Sequence, residues 1–230
     1  MDMKFYICLV VVFCLVSCRS SQSVSDVLLD VPVAEKEITV DGDGKDWDSK
    51  PLVLGLTAPW NGPIKDSTVI YICHDKKNLY FLFKIKDDNL IYDDREGEDA
   101  VNYRDRAEIF FSKDEKLSTY FCAEIDPQVK VLDYEAHFYR DFNFEWDFKQ
   151  LIVASQLEND GYVVEGALPI EWLKSSQLLS DDGEMFIGLY RANAIEPEND
   201  ESIVWYSWIV PDSKDPDFHI PSSLGKLRLQ

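Results

Sequence analysis

Basic residues, histidine and patterned cysteine are what this chain has little of. Lysine and arginine number 23 against 43 acidic residues, a formal net charge of -20. That balance argues against a nucleic-acid partner, because phosphate backbones are bound through basic patches. It also offers no bulk attraction for polyanionic glycans, and it accords with neutral sugars and equally with plain solubility. There is no C-x-x-C, no H-E-x-x-H and no multi-cysteine metal spacing. Nor is there an apolar run of the ~20 residues that a membrane-spanning helix needs; Phe5 to Val16 falls far short of it. Internal repeats are absent, and helical periodicity is confined to one short segment.

The first residues read as a leader. Met1 to Ser17 carries Lys4, the apolar run and then Ser17-Cys18, the order of regions in a secretory signal. Leu15-Val16-Ser17-Cys18 resembles a bacterial lipobox, which implies that Cys18 becomes the acylated first residue of a mature lipoprotein. Residues 18–34 are then the lipidated cysteine and a flexible tether, serine-rich over Arg19 to Ser25. Ordinary secretion with cleavage elsewhere is the plainer alternative. Arg19, rather than an aspartate, follows Cys18, which resembles lipoproteins released to the outer membrane, so a lipid-anchored domain facing the periplasm or the cell surface is expected. Beyond the leader only Cys73 and Cys122 remain besides Cys18. Each sits in a strand-like run, where the two either pair in an oxidising compartment or serve as small buried hydrophobes.

The rest alternates with a period of two. In Asn78 to Asp87, Leu79, Phe81, Phe83 and Ile85 share one parity while Tyr80, Lys84 and Lys86 take the other, predicting a strand with one buried face. In Arg104 to Phe111, Ala107, Ile109 and Phe111 point inward and Arg106 and Glu108 outward. Asp88 to Tyr103, crowded with acids, reads as a surface loop. Further strands are expected at Glu37–Val40, Leu52–Leu56, Ser67–His74, Thr119–Asp126, Val129–Tyr134, Gln150–Leu157, Gly161–Leu168, Met185–Ala194, Ser202–Val210 and Leu224–Leu229. Glu158-Asn159-Asp160-Gly161 is a hairpin signal, and Pro169 to Lys174 the one short helix. His137 to Trp146, dense in aromatics, reads as an ordered loop. The expectation is an all-β domain over residues 35–230, an antiparallel β-sandwich of about eleven strands.

Asp41-Gly42-Asp43-Gly44 reads as a tight turn; the aspartates at 41, 43 and 46 offer oxygen for calcium but miss the EF-hand spacing. Trp47 reads as a core plug. Trp60, in a loop with Pro59 and Pro63, has a claim to function, and Trp205 and Trp208, three apart, face opposite sides of a strand.

In order, Val40-Asp41-Gly42 with Trp47, Asn78 to Phe81 ending in Asp87, Asp105 to Phe110, Gly161 to Ala167, and Pro221 to Leu227 together resemble carbohydrate-binding module family 9 over nearly the whole chain after the tether. The resemblance implies a sandwich that binds sugars without catalysis, with structural calcium in some members. It places the family's hydrogen-bonding glutamate on Glu108. One of its two stacking tryptophans falls on Asn102, beside Tyr103, and the other on Phe218, next to His219, so both stacking positions differ. Tyr103, Phe218, Trp60 and Trp146 are the substitute platforms, with Arg106 or Arg104 adding charge-assisted bonds. Glu108 and Arg106 read equally as a solvated cross-strand ion pair, Phe218 as a cover over one sandwich end, and His219 as a solvated loop histidine.

The expected function is that of a non-catalytic carbohydrate-binding lipoprotein, with a saccharide and the membrane as partners, no nucleic acid, and an envelope glycan-processing or transport complex as a further partner. A glycoside hydrolase with its paired carboxylates among the 43 acidic residues is the alternative. A haem-binding sandwich, using Met185 or one of the three histidines, is a third reading.

Overall fold

The computed structural model describes residues 27–47, 51–62, 67–197, 199 and 202–230. The signal segment, Cys18, the serine-rich stretch and Pro63 lie outside the described residues. In chain order the strands are β1 (Leu28–Val31), β2 (Leu52–Gly55), β3 (Ser67–His74), β4 (Asn78–Lys86), β5 (Arg106–Ser112), β6 (Tyr120–Ile125), β7 (Val131–His137), β8 (Asp141–Asn143), β9 (Ile152–Glu158), β10 (Gly161–Pro169), β11 (Glu184–Asn193), β12 (Val204–Ser207) and β13 (Gly225–Leu229). One helix, α1 (Ile170–Ser175), follows β10.

The strands form two sheets. The larger runs β1-β13-β11-β5-β6-β7-β8, with β12 also on β11; the smaller runs β2-β3-β4-β10-β9. β13 and β12 divide one edge of β11 between them, at Glu184–Ile187 and Tyr190–Asn193. The inner parities of both sheets meet in one core: Phe81, Phe83 and Ile85 from β4 and Val164 from β10 face Ile109 and Phe111 from β5 and Ile187 from β11. Each such side chain contributes about 1.5–3 kcal/mol by leaving water.

Alternation predicted these inner faces well. Its error lies on the outer faces, which are also buried in part. Tyr80 and Leu82, on the outer side of β4, pack with Ile38, Trp47 and Cys73 beneath the segment that precedes β2. That segment is not a strand at Glu37–Val40. It is held by side-chain bonds instead of a ladder: Glu165 of β10 accepts from the backbone N–H of Asp41 (2.9 Å) and Gly42 (2.8 Å) and from Trp47 Nε1 (2.6 Å). Gly42 adopts φ 84°, and a Cβ there would come within 2.8 Å of the Ser155 backbone, so only glycine permits the approach.

The N-terminal boundary also differs from expectation. Leu28–Val31 is not tether but an edge strand, paired with β13 in parallel, because Val31 and Leu29 reach the inter-sheet core. The other strand pairs are antiparallel among the described residues. The acidic loop before β5 ends in a 3-10 turn, Glu98–Tyr103, that buries Ala100 and Val101. Cys73 and Cys122 are free and buried in clusters on the outer faces of different sheets, so they act as small hydrophobes and form no bridge.

Candidate functional site

The outer face of the larger sheet carries a third apolar cluster, formed by Phe110, Tyr120, Cys122, Tyr134 and Tyr190, with Phe218 and Leu224 lying over it. Beside it opens a bay of about 450 Å³. Three neighbouring strands supply its floor: Arg106 and Glu108 from β5, Glu124 from β6, and Leu132 and Tyr134 from β7. Glu108 and Glu124 are direct cross-strand neighbours, which is why one parity of two strands concentrates charge at one place.

The walls are loops and a short strand. Asn102 and Tyr103 come from the 3-10 turn, Ile203 and Trp205 from β12 and its approach, Phe142 and Phe144 from β8 and the turn after it, and Pro216 to His219 from the loop before β13, with Arg140 at the rim. These walls are anchored. Buried Arg104 donates to Asp126 (2.6 Å), Asp93 (2.6 Å) and the Arg95 carbonyl (2.8 Å), which locks the acidic loop so that Asn102 and Tyr103 overhang the floor. Arg104 is therefore a structural clip and not a ligand contact. Opposite, Asp217 accepts from the Tyr139 hydroxyl (2.6 Å), Arg140 (2.9 Å) and the His219 backbone (3.0 Å), tying the two loops together.

The floor is not solvated. Arg106 Nε donates to Glu124 Oε2 at 2.6 Å, and its Nη1 to the carbonyls of Asn102 (3.1 Å) and Arg104 (3.3 Å). Glu124 also accepts from the Tyr134 hydroxyl at 3.0 Å. Glu108, 2% exposed, has Oε1 3.0 Å from Arg106 Nε, but the single hydrogen on that nitrogen points at Glu124. Glu108 Oε1 is consequently buried with no hydrogen-bond partner. Burial above all, and then the charge of Glu124, push the Glu108 carboxyl up to about 8, against the pull of Arg106. The exposed ion pair expected for Arg106 and Glu108 is thus a buried one, closed over by the surrounding loops.

Six of the eight residues expected at a site, Asn102, Tyr103, Arg106, Glu108, Phe218 and His219, line this bay. Trp60 lies behind it, its ring 5.7 Å from Phe218 and its Nε1 donating to the Ser213 carbonyl. Trp146 is elsewhere, packed on Phe121 (4.8 Å) and Phe148 (5.0 Å) at the margin of the inter-sheet core, where it closes a gap rather than presenting a platform. Phe218 itself is buried and stacked on Tyr190 at 4.0 Å and 9°; Ser223 Oγ bonds its carbonyl at 2.6 Å. One face of its ring is therefore occupied. His219 is half-buried, bonded through Nδ1 to the Tyr120 hydroxyl at 2.9 Å, and burial with the nearby Arg140 charge pushes it down to about 3. The histidine is neutral at physiological pH.

Glu124, Tyr134, Trp205, Phe142 and Phe144 were not singled out as site residues from the sequence. Glu124 had a signal, since it shares the outward parity of its strand and pairs with Glu108. Trp205, half-buried with the Arg106 guanidinium 5.3 Å over its ring, and Phe144, 55% exposed, are the rings that flank the opening. The aspartates at 41, 43 and 46 are engaged by the backbone. Asp41 and Asp43 accept the backbone N–H groups of Asp43 and Lys45, and Asp46 that of Thr39 ahead of the turn; no metal-holding cluster of three or more acidic, histidine or cysteine side chains occurs among the described residues. Met185 fills the inter-sheet core.

A family model described as carbohydrate family 9 binding domain-like matches residues 40–230. Curated sequences gave no match. Among solved structures, a candidate carbohydrate-binding protein from Bacteroides uniformis ATCC 8492 is similar with a TM-score of 0.69 at 15% identity, over 91% of this chain and 100% of that one. A family 9 carbohydrate-binding module from Caldicellulosiruptor kristjanssonii in complex with glucose gives 0.59 at 14% identity, over 89% and 96%. One in complex with cellotriose gives 0.61 at 14% identity, over 89% and 94%. At such identities the structural likeness establishes the fold alone, and function has to be argued from the site.

Proposed function

The chain belongs to the carbohydrate family 9 binding domain-like family, and from that premise we propose that it is a non-catalytic saccharide-binding lipoprotein. The observation that carries this reading is the bay on the larger sheet, where aromatic rings of Trp205, Phe142 and Phe144 flank a floor of fixed carboxylates and a guanidinium. Sugar recognition needs that combination of a flat apolar surface for the C–H face and pre-placed polar groups for the hydroxyls. Solved family 9 modules bound to glucose and cellotriose support the ligand class. The two stacking positions of the family are not tryptophan here, and Trp205 takes over as the platform. Cys18 anchors the protein to the outer membrane by its lipid, so that the domain retains saccharides at the envelope for glycan-processing or transport partners.

The test is a glycan array probed with and without calcium, using the unaltered protein, Trp205→Ala and Glu124→Gln. Selective binding lost in both variants is the expected result; a blank array with folded protein contradicts the proposal. Insensitivity to calcium is expected, given how the aspartates at 41, 43 and 46 are engaged.

Glycoside hydrolysis is the second reading, favoured by the neighbouring Glu108 and Glu124, one of them held protonated near neutrality. Both carboxylates, however, rise from the same floor with Arg106 between them, whereas hydrolysis needs carboxyls flanking the scissile bond. Release of reducing sugar, abolished by Glu108→Gln, would favour the enzyme.

A further inference from the structure

The base of the bay holds one acid more than its single guanidinium can pair, which a neutral sugar does not exploit. Its floor holds two carboxylates, Glu108 and Glu124, and one guanidinium, Arg106. Glu124 receives the Arg106 Nε hydrogen and the Tyr134 hydroxyl, while Glu108 keeps a buried oxygen to which no group donates among the described residues. At the rim, Arg140 and Asp217 neutralise each other at 2.9 Å. One acid at the base is therefore left without a donor; it keeps its proton near neutrality, and ionising it there is costly until a ligand supplies hydrogens and a counter-charge. A hydroxyl would bring one hydrogen; an ammonium brings three and a counter-charge. The exposed Phe144 ring suits the same ligand, since its π-face attracts cations, whereas one face of Trp205 already carries Arg106.

We propose that the bay selects a saccharide carrying a free, protonated amino group, a hexosamine unit, with its ammonium seated on Glu108 and its ring against Trp205. This rests on the saccharide-binding reading and narrows it. Uronic acids are disfavoured, because Arg106 is already shared by two carboxylates. The displaced Glu108 carboxyl agrees with this arrangement. It is pushed up by burial and by Glu124, and an ammonium would supply the counter-charge that lets it ionise, releasing a proton on binding.

The experiment is titration calorimetry of the protein with glucose, glucosamine and N-acetylglucosamine at about pH 6, below the ~7.7 of an α-amino group, which like the sugar's amine sits beside an electron-withdrawing carbon, and at about 0.15 M salt to screen the bulk negative charge. Glucosamine is expected to bind about ten-fold more tightly than glucose, the gain of one desolvated charge pair less the cost of ionising Glu108 at that pH. N-acetylation and Glu108→Gln should each remove that advantage. Glucosamine no tighter than glucose, with glucose bound, overturns the proposal and leaves the saccharide-binding reading standing. Silence from all three sugars also overturns it, and the glycan array then decides the broader reading. An advantage that persists in Glu108→Gln removes Glu108 from the recognition. The three-sugar comparison on the unaltered protein stands even if that variant fails to fold.

Discussion

The two outer faces of the sandwich each bury a glutamate on a central strand, and they treat it in opposite ways. On the smaller sheet Glu165 is fully buried and receives three donors, two backbone N–H groups and the Trp47 indole. On the larger sheet Glu108 is almost as buried, yet its Oε1 receives none. Burial pushes both carboxyls up from their ordinary value, but at Glu165 the three donors pull the other way. A buried carboxylate that is fully bonded holds a segment in place; one left short of donors beside an open bay fits the binding site proposed above. The contrast, between a closed face and one that opens into a bay, supports the proposed site without reference to any relative.

The largest effect that sharpens this contrast is expected at the structural face. Glu165→Ala leaves three donors unpaired beneath the N-terminal segment, and should cost about 3–5 kcal/mol, read from urea unfolding. A loss below about 1 kcal/mol would mean that the segment is held by packing alone. At the proposed binding face, Trp205→Ala should weaken saccharide binding about 30-fold, the scale of a central aromatic anchor, with little loss of stability because the residue is only half-buried.

The sign of the Glu108 effect is the reverse of that at Glu165. From 4.5, its ordinary value, to about 8, the folded protein keeps a proton on Glu108 that the unfolded chain has released. Stability therefore falls as pH rises through that window and levels off above it. Asp105, pushed up to about 7 by burial, adds a slope of the same sign, so the informative quantity is the difference between wild type and Glu108→Gln. That variant should be more stable by about 1–2 kcal/mol at pH ~8, with the gain vanishing near pH 4; a loss at pH 8 would show that Glu108 is satisfied after all. Smallest of all, Arg140→Ala removes a rim ion pair whose arginine is 40% exposed, and should shift stability by no more than about 1 kcal/mol.

Period-two alternation made the inner faces legible: Phe81, Phe83, Ile109 and Phe111 point where their parity places them. It could not report what covers an outer face, because that depends on segments distant in sequence. Tyr80 and Leu82 are buried by residues about forty positions earlier in the chain. Leu28–Val31 was hidden for a related reason, since a four-residue parallel edge strand has too few positions to show a period and no hairpin to announce it. At the site, resemblance brought together Asn102, Tyr103, Arg106, Glu108, Phe218 and His219, whereas Trp205 and Glu124 needed the fold to carry β12 and β6 to the same bay. Trp146 shows the limit of reading function from an aromatic in a loop, because its surroundings, Phe121 and Phe148, are core.

The most direct measurement is hydrogen exchange with and without the tightest glycan found on the array. Slowed exchange confined to the larger sheet's bay, in the 3-10 turn with the start of β5, in β12, and in the loop preceding β13, is the predicted result, with residues 37–47 and β9 unchanged. Protection over the smaller sheet's covered face, or none near Glu108 when binding is saturated, would contradict the assignment of the open face as the site.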